Sequence, residues 1–414
     1  MLAIRRVGLV GLGLALVLST ALALPQNTVH VDADAAPGGD GSAAAPFQTI
    51  QSAVDAATTL AGDTVLVAPG VYVGRVSVPF GRALTVRSSH GPLATVICAS
   101  VGADTARFAS GSLEGFTVLK ESGGGPDARV VSCDTGAWVR RCIVLGAPML
   151  DGIAFDGGSA EHCLVSECRY ATRFFGYPSG TVSNSILWNN SHPTVVDSNS
   201  PGSPSFRYCV VDHVLGSGPS TNLDVAPLVR SFTSRDFHLR STSPCIDAGD
   251  PSAPLDPDGS RADIGPLPFD ASWMPFAVYC TAQVNSLGCT PAIGAEGNAS
   301  ASAAVPFEIT CSNTLNNRTG LLFYGYGPRA TAYQGGFLCV ASPLRRTALL
   351  DSGGSSTGTD CSGVFAFDFN AHLQGGVDPL LEPGVEVFAQ FWSRDPGASF
   401  PTHRSDALRF AVLP

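Results

Sequence analysis

Six basic residues lie within or just after a short β-rich motif that recurs in this chain: Lys120, Arg140, Arg141, Arg169, Arg173 and Arg207. Asp127, Asp134, Asp151 and Asp156 accompany them. Such a set could abstract a proton α to a carboxylate, with Lys or Arg as the base and a carboxylate-held Ca²⁺ acidifying the carbon. Lys120 is the only lysine and so the most distinctive candidate base, ahead of Arg140, Arg169 and Arg207. A lysine base must be partly neutral, which requires burial or cationic neighbours. Glu121 beside it acts the other way, and SerGlyGlyGly (122–125) reads as a wet loop. We therefore expect a solvated surface lysine and assign no catalytic residue.

Binding and metal chemistry have their own candidates. Tyr170, Tyr177, Trp188, Asn189, Asn190 and His192, with Phe174 and Phe175, could form a sugar platform. Aromatic faces stack on sugar CH surfaces while amides bond hydroxyls. The same aromatics could instead pack within the fold, and the asparagines could form turn ladders; both readings stand. Asp256, Asp258 and Asp263, with Gly259 and Ser260, could wrap a hard cation such as Ca²⁺. The distal Glu of an EF-hand loop is missing, and Asp-Pro and Asp-Gly are ordinary turn formers. Asp32, Asp34 and Asp40 form a weaker version of the same pattern. Apart from calcium, no cofactor is expected.

The positioning elements are legible in the motif itself. It reads LEGFTVLK (113–120), VRRCIVLG (139–146), AEHCLVSE (160–167), VSNSILWN (182–189) and FRYCVVDH (206–213). Aligning Gly115, Cys142, Cys163, Ser185 and Cys209 gives spacings of 27, 21, 22 and 24 residues. Such periods mark a solenoid, and one short β core per unit with no intervening amphipathic helix implies a parallel β-helix. Coils would stack ~4.8 Å apart. Cys142, Cys163, Ser185 and Cys209 are then expected in one inward column of small residues. Upstream, residues 47–57 place Phe47, Ile50, Ala53, Val54 and Ala57 at helical spacing. That helix would cap the first coil, whose backbone edge would otherwise invite aggregation.

Several strings resemble the pectate-lyase-like right-handed parallel β-helix proteins. AlaAlaProPheGlnThrIleGlnSerAlaValAspAlaAla through AlaProGlyValTyr (44–72) is similar to their opening. SerAsnSerIleLeuTrpAsnAsn (183–190) is similar to their late coils. AspValAlaProLeuVal (224–229), SerProCysIleAspAlaGlyAspPro (243–251) and AspProAspGlySerArgAlaAspIleGly (256–265) resemble their closing segment. The resemblance covers about residues 29–269 and implies the fold. It implies no single activity, because the superfamily includes lyases, hydrolases and many exported proteins of other kinds. The paired-Asp strings of the β-helix glycosidases are absent from this sequence.

Composition sets the compartment. Arg5 and Arg6 precede an apolar run from Val7 to Leu18, followed by Ala21-Leu22-Ala23. This is the pattern of a signal peptide over residues 1–23. Acidic residues outnumber basic ones 34 to 24, which disfavours nucleic acid and anionic membranes as partners. After a Pro/aromatic linker (268–276) the pattern becomes ordinary alternating strands, such as Val385/Val387/Ala389/Phe391. Twelve cysteines divide seven and five between the two parts. In the second part we expect bridges Cys280–Cys289 and Cys339–Cys361, leaving Cys311 without a local partner. The expected chain is all-β: a right-handed parallel β-helix over 24–270 and a β-sandwich over 277–414. The functional expectation is a secreted or cell-surface monomer that binds or scaffolds a polysaccharide without catalysis. A polysaccharide lyase or glycoside hydrolase is the alternative.

Overall fold

The computed structural model describes residues 27–56, 62–100, 102–122, 128–175, 180–192, 205–212, 221–271 and 273–414. The expected signal peptide, Asp127, Tyr177 and His213 lie outside the described residues.

The repeating units wind into a parallel β-helix with three sheets. The eight-stranded sheet runs from Thr28–Val31 through Ala137–Arg140 to Ser205–Arg207. The seven-stranded sheet runs from Gly70–Val73 to Val210–Val211, and the five-stranded sheet from Val76–Val78 to Tyr170–Phe174. Neighbouring strands within each sheet are parallel, as for Ile143 opposite Leu164 and Val165 opposite Leu187. Val65, Val86, Leu113, Val139, Ala160 and Val182 point inward into one continuous apolar core.

A sharp corner joins the eight- and seven-stranded sheets in successive coils. Gly115, Arg141, His162, Asn184 and Tyr208 occupy it with φ between 48° and 75°. Glycine adopts this left-handed region freely, whereas other residues are strained there by about 1 kcal/mol. The residue after the corner turns inward: Cys142, Cys163, Ser185 and Cys209 are all buried, as the repeat predicts. Ser185 Oγ donates to Ser183 O (2.7 Å) and accepts the Cys163 N–H (3.0 Å), so its hydroxyl is satisfied inside the stack. The alignment of Gly115 with this column needs correction by one residue. Thr117 pairs with Ile143, which places Phe116 beside Cys142 and Gly115 at the corner with Arg141.

The helix spans Ile50–Ala56 and buries Ile50, Ala53 and Val54. Gln51 accepts the Ser77 N–H (2.7 Å) and donates to Ser77 O (3.3 Å), so the helix covers the edge strand Val76–Val78. The closing segment lies along the outside of the seven-stranded sheet. Its Val229, Phe237, Leu239, Cys245, Ile264 and Leu267 cover the outward Ile143, Leu145, Leu164, Ile186 and Val210.

The C-terminal part is a β-sandwich of antiparallel sheets. One contains Phe276–Tyr279, Thr402–Ala411, Glu386–Arg394 and Thr319–Gly325; the other contains Ala292–Glu296, Glu308–Thr314 and Gly363–Asp368. Between them pack Phe307, Ile309, Phe365, Val387, Ala389, Phe391, Leu408 and Phe410. The disulfides differ from expectation: Cys280 bridges Cys339 and Cys289 bridges Cys361. The loop at 285–289 is already closed by Asn285, whose side chain accepts the Leu287 and Cys289 N–H groups. Each cysteine instead meets a partner distant in sequence. Tyr279 Oη donates to Cys339 O (2.6 Å), and Asn285 Nδ2 lies 3.6 Å from Cys361 Sγ. Cys311 is free and buried, as expected.

Candidate functional site

In the eight-stranded sheet, alternate residues face away from the core and stack into two columns. The first contains Thr64, Thr85, Ser112, Trp138 and Ser159, continued by Thr181 and Ser205. The second runs Leu66, Arg87, Glu114, Arg140, Glu161, Ser183 and Arg207. One column is hydroxyl-rich with a single indole; the other alternates in charge over four rungs.

Arg140 organises the middle of this face. Its guanidinium reaches Glu114 (3.4 Å) and Glu161 (3.6 Å) and lies 4.4 Å from the Trp138 ring centroid. Ser112 Oγ donates to Glu114 Oε1 (2.9 Å). Beside the charged column is a groove of about 470 Å³, to which the closing segment contributes Pro254, Pro266, Leu267 and Pro268. Arg87 and Arg141 line it from exposed positions. His162 also borders it but is buried, 3.1 Å from Asn184 Nδ2. Burial, reinforced by Arg141, pushes its imidazole down to about 4, so it is neutral near pH 7. The whole face offers hydroxyls, paired ions, an indole and proline rings, which together can bond and stack a polyhydroxylated ligand.

The residues expected to form a sugar platform are divided among several places. Tyr170 and His192 lie tilted against each other, with ring centroids 4.7 Å apart, and Arg169 lies 5.4 Å from the Tyr170 ring. Asn190 turns its amide inward, accepting the Cys168 N–H and donating to Val165 O and Trp188 O. Trp188 packs against the cluster beneath the closing segment. Asn189 is exposed and donates to Ser166 Oγ (3.3 Å).

The basic candidates do not converge either. Arg140 and Arg207 share the outer column, but Arg169 and Arg173 hold the buried Asp151 at 2.8 and 2.9 Å. Asp134 pairs with Arg107 (3.1 Å), and Asp156 is exposed. Lys120 is not the solvated lysine expected from its flanking glycines. It is 1% exposed, with Nζ 3.5 Å from Ala99 O. Burial lowers its pKa, partly opposed by the Asp104 carboxylate.

The calcium candidates face their own backbone. Asp256 Oδ2 accepts the Asp263 N–H (2.8 Å), and Asp263 accepts those of Asp247 and Phe269. Asp258 accepts the Ser260 N–H, which lowers its pKa, whereas burial raises those of Asp256 and Asp263. Asp34 and Ser42 N–H groups similarly occupy Asp32 and Asp40. Among the described residues, no group of three or more His, Cys, Asp or Glu side chains is arranged to hold a metal ion.

Sequence reasoning missed Trp138 and the charged column. Their signal lies just upstream of each repeat core, in the triplets SerLeuGlu (112–114), TrpValArg (138–140), SerAlaGlu (159–161), ThrValSer (181–183) and SerPheArg (205–207). The middle residue of each points in, and its neighbours point out.

The repeating part is a three-sheeted parallel β-helix. No protein-family model matches the chain, and no curated protein matches it. Among solved structures it is similar to the pectin methylesterase from Aspergillus niger in deglycosylated form. That match has 14% identity over 50% of this chain and 70% of the other, with a TM-score of 0.31. It is also similar to pectate lyase Pel9A, with 15% identity over 59% of this chain and 97% of the other, and a TM-score of 0.28. The two disulfides fit an extracytoplasmic protein.

Proposed function

We propose that this is an exported, non-catalytic β-helix protein that binds or scaffolds carbohydrate at the cell exterior through the outer face of its eight-stranded sheet. The observation carrying this reading is Trp138, set among Ser and Thr hydroxyls and backed by the Glu114–Arg140–Glu161 ladder. The face repeats its polar groups every ~4.8 Å along the stack, which suits an extended polymer. The ligand is a polysaccharide or cell-surface glycan of low charge density, because the ladder largely neutralises itself. This reading needs no calcium at Asp256, Asp258 and Asp263, whose carboxylates accept backbone N–H groups.

The lyase alternative has one observation in its favour: burial lowers the Lys120 pKa, as a lysine base needs. A base must also touch its substrate, and this ammonium is covered. A glycan array combined with an absorbance assay for unsaturated product at 235 nm separates the two readings. Binding without product, with or without Ca²⁺, is expected. Product that disappears in Lys120→Ala would replace our reading with the alternative.

A further inference from the structure

The C-terminal sandwich contains a cavity that the carbohydrate reading does not use. It has a volume of about 410 Å³ and involves the six-stranded sheet and the hairpin Pro328–Tyr333/Gly336–Val340. Small-molecule pockets commonly fall in this size range, about 300–1,000 Å³. Leu321, Phe323, Leu338, Leu344 and Trp392 give it apolar walls, and Tyr333 adds an aromatic rim.

Two arginines line the same cavity. Arg404 is only 3% exposed, yet among the described residues no carboxylate lies within ion-pair distance of it. Its Nη1 donates to Tyr333 O (3.0 Å) and Gln283 Oε1 (3.4 Å), and its Nη2 to Gln334 Oε1 (3.0 Å). The Tyr333 ring centroid is 4.7 Å from its Cζ. Every one of these partners is neutral. Arg346 is exposed on the cavity wall and likewise has no acidic partner among the described residues. Removing a guanidinium from water costs several kcal/mol, and a nearby carboxylate normally offsets it. Here neutral acceptors take three of its five N–H groups and leave the charge unmatched beside an apolar space. Burial accordingly lowers the Arg404 pKa, and Tyr333 opposes this only in part.

We propose that this cavity binds a small organic monocarboxylate with an aromatic or aliphatic body. The carboxylate faces Arg404 and Arg346, and the body packs against Trp392, Leu321 and Leu338. Charge-assisted hydrogen bonds supply the selectivity for the anion, and apolar burial supplies the rest of the affinity.

The test uses the full chain with its disulfides intact, titrated calorimetrically with 4-phenylbutyrate and with the neutral 4-phenylbutanol. One-to-one binding is expected, with the carboxylate at least about tenfold tighter than the alcohol. Arg346→Gln should reduce that preference, weakening acid binding more than alcohol binding. Leu338→Trp, which fills the cavity, should abolish binding of both. Absence of one-to-one binding, equal affinity for acid and alcohol, or unchanged selectivity in Arg346→Gln would each overturn the proposal. Arg404 would then be only a clamp between the hairpin and the sheet.

Discussion

The guanidinium carbon of Arg140 lies 4.4 Å from the centre of the Trp138 indole, two residues away on the same strand and the same outward face. Because Arg140 also bridges Glu114 and Glu161, the indole rests on a side chain held from both neighbouring coils. Exposed ion pairs of this kind contribute at most about 1 kcal/mol each. Arg140→Gln should therefore shift the denaturation free energy by no more than about 1–2 kcal/mol. Its effect on glycan affinity should be larger than that shift implies, because the indole loses its support. Chemical denaturation and calorimetry on the same preparation check both parts.

The thiols offer a direct reading of the coil interior and the disulfide pattern. Eight cysteines are free, and seven of them, all except Cys98, are buried. Burial raises the pKa of all eight, so none is primed as a nucleophile. A thiol reagent should label only Cys98 quickly in the native protein and eight cysteines in denaturant without reductant. Non-reducing peptide mapping should join Cys280 to Cys339 and Cys289 to Cys361.

His162 makes stability depend on pH in a defined direction. Its folded-state pKa is about 4, against 6.5 for the ordinary imidazole. The unfolded chain therefore binds a proton more readily between these values. Stability from this residue is complete above about pH 6.5 and is lost as the pH falls towards 4, by up to about 3 kcal/mol. Burial also lowers the His372 and His403 pKa values, so the comparison must be with a variant. His162→Gln should flatten this part of the curve; an unchanged slope in denaturation between pH 4.5 and 7 would contradict the assignment.

The repeat was readable because successive coils present the same environment, so Cys142, Cys163, Ser185 and Cys209 meet the same demand for a small inward side chain. The slip at Gly115 arose because glycine fits both the corner and a small interior site; only pairing of Thr117 with Ile143 decides between them. Trp138 escaped notice because outward positions are not constrained by the core and carry no apolar rhythm. Lys120 was misjudged because its burial depends on Ala99 and Asp104, which precede it around the coil and are invisible to local composition. The disulfides failed for the same reason. Their partners are 59 and 72 residues apart and are brought together by sheet packing, whereas the local loop closes through Asn285.

The central claim is that the face around Trp138 binds glycan, and one titration tests it most directly. The best array ligand is titrated into wild type and into Trp138→Ala, with circular dichroism confirming that both are folded. Loss of a stacked aromatic is worth roughly 1–3 kcal/mol, so affinity should fall by about fivefold or more. Saturable binding of equal strength in the two proteins, or no saturable binding to any glycan, would contradict the account.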